Sequence, residues 1–161
     1  MRTFSFLAAA GVAAALAGAA AAQPADVTVT IGERLDREAR EELGLAEVTE
    51  QARALEARLE RELASNPAYD GAHIRLVLTD VAPNRPTRQQ LNDTPGLDYM
   101  RSFSIGGAAI EGEVVTADGQ ARPVEYDWYS HDILDSRYQG AWQDAERAFT
   151  RFSRQLAEGR L

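Results

Sequence analysis

Residues 103–116 and 122–132 alternate apolar and polar side chains on either side of Ala117-Asp118-Gly119-Gln120. A period of two flanking an Asp-Gly turn predicts a β-hairpin with one buried face. Ala108, Ile110, Gly112 and Val114 share that face, and Val124, Tyr126 and Trp128 join them from the second strand. Two strands alone are marginal in water, so the apolar face needs a cover. The C-terminus supplies one. Trp142, Ala145, Phe149, Phe152 and Leu156 step by three, four, three and four residues, which predicts a helix over about 138–159 with one heavy apolar stripe.

Upstream, residues 27–31 alternate and read as a strand ending at Gly32. Leu35, Ala39 and Leu43 mark a short amphipathic helix that stops near Gly44. Val48, Ala52, Leu55, Leu59 and Leu63 mark a longer helix over 48–65, ended by Asn66-Pro67. Residues 73–81 form the next strand, with Ile74, Leu76 and Leu78 on one face. The stretch 82–101 holds Pro83, Pro86 and Pro95, and only Thr87-Arg88-Gln89-Gln90 carries a structural signal, the spacing of a capping box. About twenty residues without a major element is long for a compact domain. The loop is therefore either a binding element or a surface excursion. The element order β-α-β-β-β-α predicts an α+β fold: a two-layer α/β sandwich with about four mainly antiparallel strands and two principal helices on one face.

The N-terminus stands apart from this pattern. Arg2 precedes an apolar run through residue 22 that ends in Ala20-Ala21-Ala22, the small residues at which a signal peptidase cuts. Residues 1–22 are expected to be a cleaved signal peptide, with cleavage near Ala22, and residues 23–161 a single domain in the periplasm or beyond. An uncleaved anchor is the competing reading, disfavoured because the run is mostly alanine. The chain has no cysteine. A lipoprotein anchor is therefore not expected, and no stable membrane attachment should remain after cleavage.

Composition narrows the partners. The chain carries 25 acidic and 17 basic residues, a net charge of −8, and loss of Arg2 makes the domain one unit more negative. Such a surface repels phosphate backbones and anionic lipids, so nucleic acid is not an expected partner. Every basic residue is arginine. No lysine is present to serve as nucleophile, Schiff base or P-loop cation.

Candidate chemistry is sparse. His73 and His131 lie far apart in the sequence, and no serine sits in a Gly-Xaa-Ser-Xaa-Gly turn. No catalytic residue, cofactor or metal ligand is assigned. Gly106-Gly107 precedes a strand and not a helix, so it suits a bulge or close backbone approach better than a phosphate cradle. The polar face of the hairpin is more informative. Alignment about the 117–120 turn places Glu113 opposite Glu125 and Glu111 opposite Asp127, and like charges directly opposed are destabilising. Arg75, Arg101 or Arg122 could compensate, giving an ion-paired surface. The other reading is a face for a cationic partner or divalent ion, with His131 beside Asp132 at its end. Arg75, Glu111, Glu113, Glu125, Asp127 and His131 are the candidate ligand or partner residues.

The segment Ser104-Ile105-Gly106-Gly107-Ala108-Ala109-Ile110-Glu111-Gly112-Glu113, followed by the Asp118-Gly119 turn, resembles exported bacterial envelope domain families of unknown function. The resemblance spans about residues 70–160 and departs in lacking the lipoprotein cysteine. It implies an envelope location and a non-catalytic role, and it supplies no site residues. The expectation is an exported binding or assembly module with an envelope protein partner, acting through its sheet face or the 82–101 loop. The alternatives are a metal- or carboxylate-dependent envelope enzyme and a self-associating structural subunit.

Overall fold

The computed structural model describes residues 23–161. The expected signal peptide, residues 1–22, lies outside the described residues. The elements are β1 (Asp26–Ile31), α1 (Glu33–Glu38) running into a π-helical turn (Ala39–Leu43), α2 (Leu45–Leu63), a short 3₁₀ turn (Pro67–Tyr69), β2 (His73–Ala82), α3 (Arg88–Asp93), β3 (Gly107–Val115), β4 (Ala121–Tyr129), a second 3₁₀ turn (Ile133–Tyr138) and α4 (Gln143–Ala157). The four strands form one sheet in chain order, with β1 parallel to β2 and the other two pairings antiparallel. This is the expected α+β sandwich, with α2 and α4 against the same face.

The core follows the apolar periods. Ile74, Leu76 and Leu78 of β2, with Ile110 and Val114 of β3, are buried beneath Val48, Leu55 and Leu59 of α2 and Phe149 and Phe152 of α4. Gly44 starts α2 at φ +94, a conformation that costs glycine nothing and would strain other residues. A bulge in β2 between Leu78 and Asp80 adds one residue to the strand. It returns Val81 to the buried face and turns Asp80 onto the open one.

Several boundaries differ from the sequence reading: β3 starts at Gly107 and not at 103, β4 ends at Tyr129 and not at 132, and α2 starts at Leu45 and not at 48. The last helix starts at Gln143 and not near 138; residues 133–138 form the separate 3₁₀ turn, and Trp142 stands before the helix. The start is fixed from outside α4, because the backbone N–H of Asp144 donates to Asn84 Oδ1 at 2.8 Å. The C-terminal end is tied in the same way. Asn66 Nδ2 donates to the Ala157 carbonyl at 2.9 Å and the Tyr69 hydroxyl donates to the Leu156 carbonyl. These partners satisfy backbone groups that a helix leaves open at its ends.

The hairpin register also differs. Glu111 lies opposite Glu125, Glu113 opposite Pro123 and Asp127 opposite Ala109. The expected pairs Glu113–Glu125 and Glu111–Asp127 do not form. Gly119 takes φ +82 and its N–H donates to the Thr116 carbonyl at 2.8 Å, which closes the connection tightly over Ala117-Asp118-Gly119. The shift from expectation is two residues, so each side chain keeps its face.

Glu111 and Glu125 are thus directly opposed, and neither makes an ion pair among the described residues. Glu125→Arg should stabilise the fold by about 0.5–1 kcal/mol. The measurement is the urea midpoint at low and high salt, with the gain shrinking as salt rises.

Candidate functional site

Arg75, Glu111, Glu113, Glu125 and Asp127 share the open face of the sheet, but with His131 they do not converge on one site. Arg75 lies opposite Glu113 across β2 and β3, with Nη1 at 3.5 Å from Glu113 Oε1. Glu111 sits between Val77 and Glu125. Asp127 is one row further on, and His131 is exposed beyond the end of β4. Arg101 and Arg122 make no ion pair among the described residues, and strand parity puts Arg122 on the helix side, opposite Val114. Among the described residues no three His, Asp or Glu side chains are placed to hold a metal ion. The outer face is an open, partly ion-paired acidic surface.

A concave site lies elsewhere, at the end of the sheet where β2 gives way to the long loop. A cleft of about 590 Å³ runs between the α1 end and the chain from Asp80 to Ile105. Its size is that of a small-ligand pocket. Leu43, Val81, Pro86, Leu97 and Phe103 give it apolar walls, and Glu38, Glu42 and Asp80 give it carboxylates. The loop singled out in the sequence therefore forms one wall of the cleft. Within the loop, α3 begins at the predicted capping box: Gln90 N–H donates to Thr87 Oγ1, and Thr87 N–H donates to Gln90 Oε1 at 3.0 Å.

Two adjacent buried residues, Asn84 and Arg85, hold this loop. Asn84 is fully buried. Its Oδ1 accepts from Asp144 N–H, and its Nδ2 donates to Asp144 Oδ2 at 2.5 Å and Ser136 Oγ at 3.1 Å. Its backbone N–H donates to the Ala141 carbonyl, and its carbonyl accepts from Ser104 N–H. Asp144, also fully buried, completes its pairing with Arg147 Nη1 at 3.0 Å.

Arg85 is 4 % exposed, and no carboxylate pairs with it among the described residues. Its charge is stabilised by carbonyl oxygens instead. Nε donates to Gln139 at 2.7 Å, Nη1 to Tyr99 at 2.8 Å and Met100 at 3.2 Å, and Nη2 to Ser136 at 3.4 Å and to Arg137. All five guanidinium N–H groups are used. The guanidinium also lies 5.6 Å from the Tyr99 ring centroid. One side chain thus clamps the cleft loop to the 3₁₀ turn before α4.

The Gly-Gly pair makes room for this arrangement. A Cβ on Gly106 would lie 2.8 Å from Asn84 Oδ1, and one on Gly107 would lie 2.5 Å from Tyr129 Cδ1. Tyr129 therefore lies across Gly107, and its hydroxyl donates to Asp80 Oδ2. Asp80 Oδ1 accepts from Arg34 Nη2 at 3.2 Å, and Arg34 Nη1 reaches Glu38 at 3.4 Å. Burial, then the hydrogen bond to Asp80, push the Tyr129 phenol well above its ordinary value of 10.0.

Sequence reasoning missed Asn84, Arg85, Asp80 and Tyr129 as site-forming residues. The available signal was Pro83-Asn84-Arg85-Pro86, a polar pair between prolines, which reads equally as an exposed turn. No protein-family model matches the chain, and no curated protein matches it.

Arg85→Lys should cost about 2–4 kcal/mol, because an ammonium offers three donors and leaves carbonyls unsatisfied. Hydrogen exchange should accelerate most in residues 97–101 and 133–139, with smaller changes in β2 and β3.

Tyr129 makes stability fall at high pH. The neutral phenol is favoured by folding, so the unfolded chain ionises first. Stability is complete below a pH near 10.0 and declines above it until the folded phenol itself ionises. Tyr129→Phe should flatten the alkaline loss of stability in urea titrations and remove one late step from the tyrosinate absorbance curve.

Proposed function

We propose that the chain is an exported, non-catalytic binding module that recognises a ligand or an envelope protein partner through the cleft at the end of the sheet. Residues 1–22 direct export and are removed near Ala22, and residues 23–161 form the released domain. The carrying observation is the cleft of about 590 Å³ whose loop wall is held by the buried Asn84 and Arg85. Preformed walls reduce the ordering cost of binding, so interaction energy goes into affinity.

Several features support the non-catalytic reading. His73 pairs with Asp26 on the open sheet face, and His131 lies beyond β4, so neither lines the cleft. Ser104 lines it, but its hydroxyl donates to the Pro83 carbonyl at 2.6 Å, and among the described residues no histidine or carboxylate hydrogen-bonds to it. The resemblance to exported envelope families, carried by the Gly-Gly strand and hairpin, points to the same compartment.

The test has two parts. Expression of the full chain in a Gram-negative host should yield a periplasmic product whose intact mass corresponds to a start at Gln23. Nuclear magnetic resonance of that product with envelope extract fractions should shift the amides of Val81, Leu97 and Phe103, and Leu97→Arg should abolish the shifts while the protein stays folded. Unprocessed chain retained in the cytoplasm would count against export. Shifts confined to Glu111, Glu125 and Asp127 would move the binding site to the open sheet face.

A further inference from the structure

The cleft adjoins a smaller notch of about 230 Å³ lined also by Glu41 and Asp93. Five carboxylates therefore border these two adjoining hollows, which share Glu42, Gln90 and Thr94 as a common wall. Arg34 bridges Glu38 and Asp80, but Glu41, Glu42 and Asp93 make no ion pair among the described residues. Of the neighbouring cations, Arg40 pairs with Asp36 at 2.8 Å and Arg88 with Glu47 at 3.1 Å, while Arg37 and Arg101 are exposed and make no ion pair among the described residues. Arg85 lines the cleft, yet all five of its donors are spent on carbonyls. Five lining carboxylates outnumber the guanidinium groups of Arg85 and the bridging Arg34, so acidic groups are in excess beside the apolar walls.

We propose that the occupant of these hollows is a peptide segment carrying arginine or lysine side chains among apolar ones, an inference that rests on the cleft being the binding site. Charge complementarity selects a cation, and the repulsion that disfavours nucleic acid equally disfavours acidic peptides and phosphorylated ligands. The carboxylates come from the α1 end, the π-helical turn, β2 and α3, and they do not converge on a point where one metal ion would sit. Spread charges match cations spaced along a chain. Leu43, Val81, Pro86, Leu97 and Phe103 match apolar side chains between those cations, which a bare polyamine does not have. Exposed carboxylates add chiefly to encounter rate and selectivity, and the apolar contacts supply the retention.

The experiment titrates the purified exported product with a fluorescent pentapeptide amide, Leu-Arg-Phe-Arg-Leu, and with its glutamine counterpart, Leu-Gln-Phe-Gln-Leu. Spermine and calcium chloride serve as separate arms. The basic peptide should bind about tenfold or more tightly than the glutamine peptide at low salt, and the advantage should fall as salt rises. The double variant Glu42→Gln with Asp93→Asn should erase most of that advantage without changing the melting temperature or the glutamine-peptide affinity. Both peptides should shift the amides of Leu97 and Phe103. Equal affinity for the two peptides, with those shifts present, would overturn the basic specificity and leave the cleft as a binding site. Spermine or calcium competing as strongly as the peptide would overturn the apolar part of the proposal. Shifts absent from Leu97 and Phe103 with every probe would remove both the peptide and the cleft.

Discussion

The carboxamide of Asn84 serves a helix N-terminus, a buried carboxylate and a hydroxyl group at the same time. A buried amide left half-satisfied costs free energy comparable to the bonds it lacks, so these partners hold one another in a single arrangement. The α4 start, the second 3₁₀ turn and the strand entering β3 are all placed by it. Gly106 is part of the same constraint, because any side chain there would collide with the amide oxygen. Arg85, one residue later, extends the arrangement outward to the loop carrying Tyr99 and Met100. The cleft is the space left when these pieces are in place.

A buried arginine with no carboxylate partner among the described residues is an unusual way to hold two loops. Desolvation of the guanidinium is offset by five carbonyl dipoles that would themselves be costly to bury unpaired. The arrangement commits the donors of Arg85 to backbone carbonyls, so the side chain keeps its charge and acts by its geometry. The open sheet face is built differently. Arg75 with Glu113 is a solvent-exposed pair worth little to stability, and Glu111 against Glu125 opposes it.

The sandwich was legible because its signals are periodic. Val48, Leu55 and Leu59 in α2, and Phe149 and Phe152 in α4, recur at helical spacing and are all buried. The hairpin faces were legible for the same reason, and they survived a two-residue error in register because the strand period is two. Register itself was not legible, since it depends on whether Gly119 or Gln120 closes the turn. The loop 82–101 was marked only by its length, which singled out the right region without its residues. Asn84 and Arg85 are buried by contacts with Asp144, Ser136 and Gln139, more than fifty positions away. Local pattern carries no trace of partners at that distance.

The capping of α4 has a consequence for how the molecule comes apart. Trp142 supplies no side-chain cap, so both ends of the helix are secured by residues from earlier in the chain: Asn84 at one end, Asn66 and Tyr69 at the other. The helix and the cleft loop therefore belong to one cooperative unit, and neither can open locally without releasing the other. A ligand that steadies the cleft would be felt at the start of α4, through the Asn84 hydrogen bonds already present before it arrives. The last helix of the chain is in this sense a reporter of what the loop is doing.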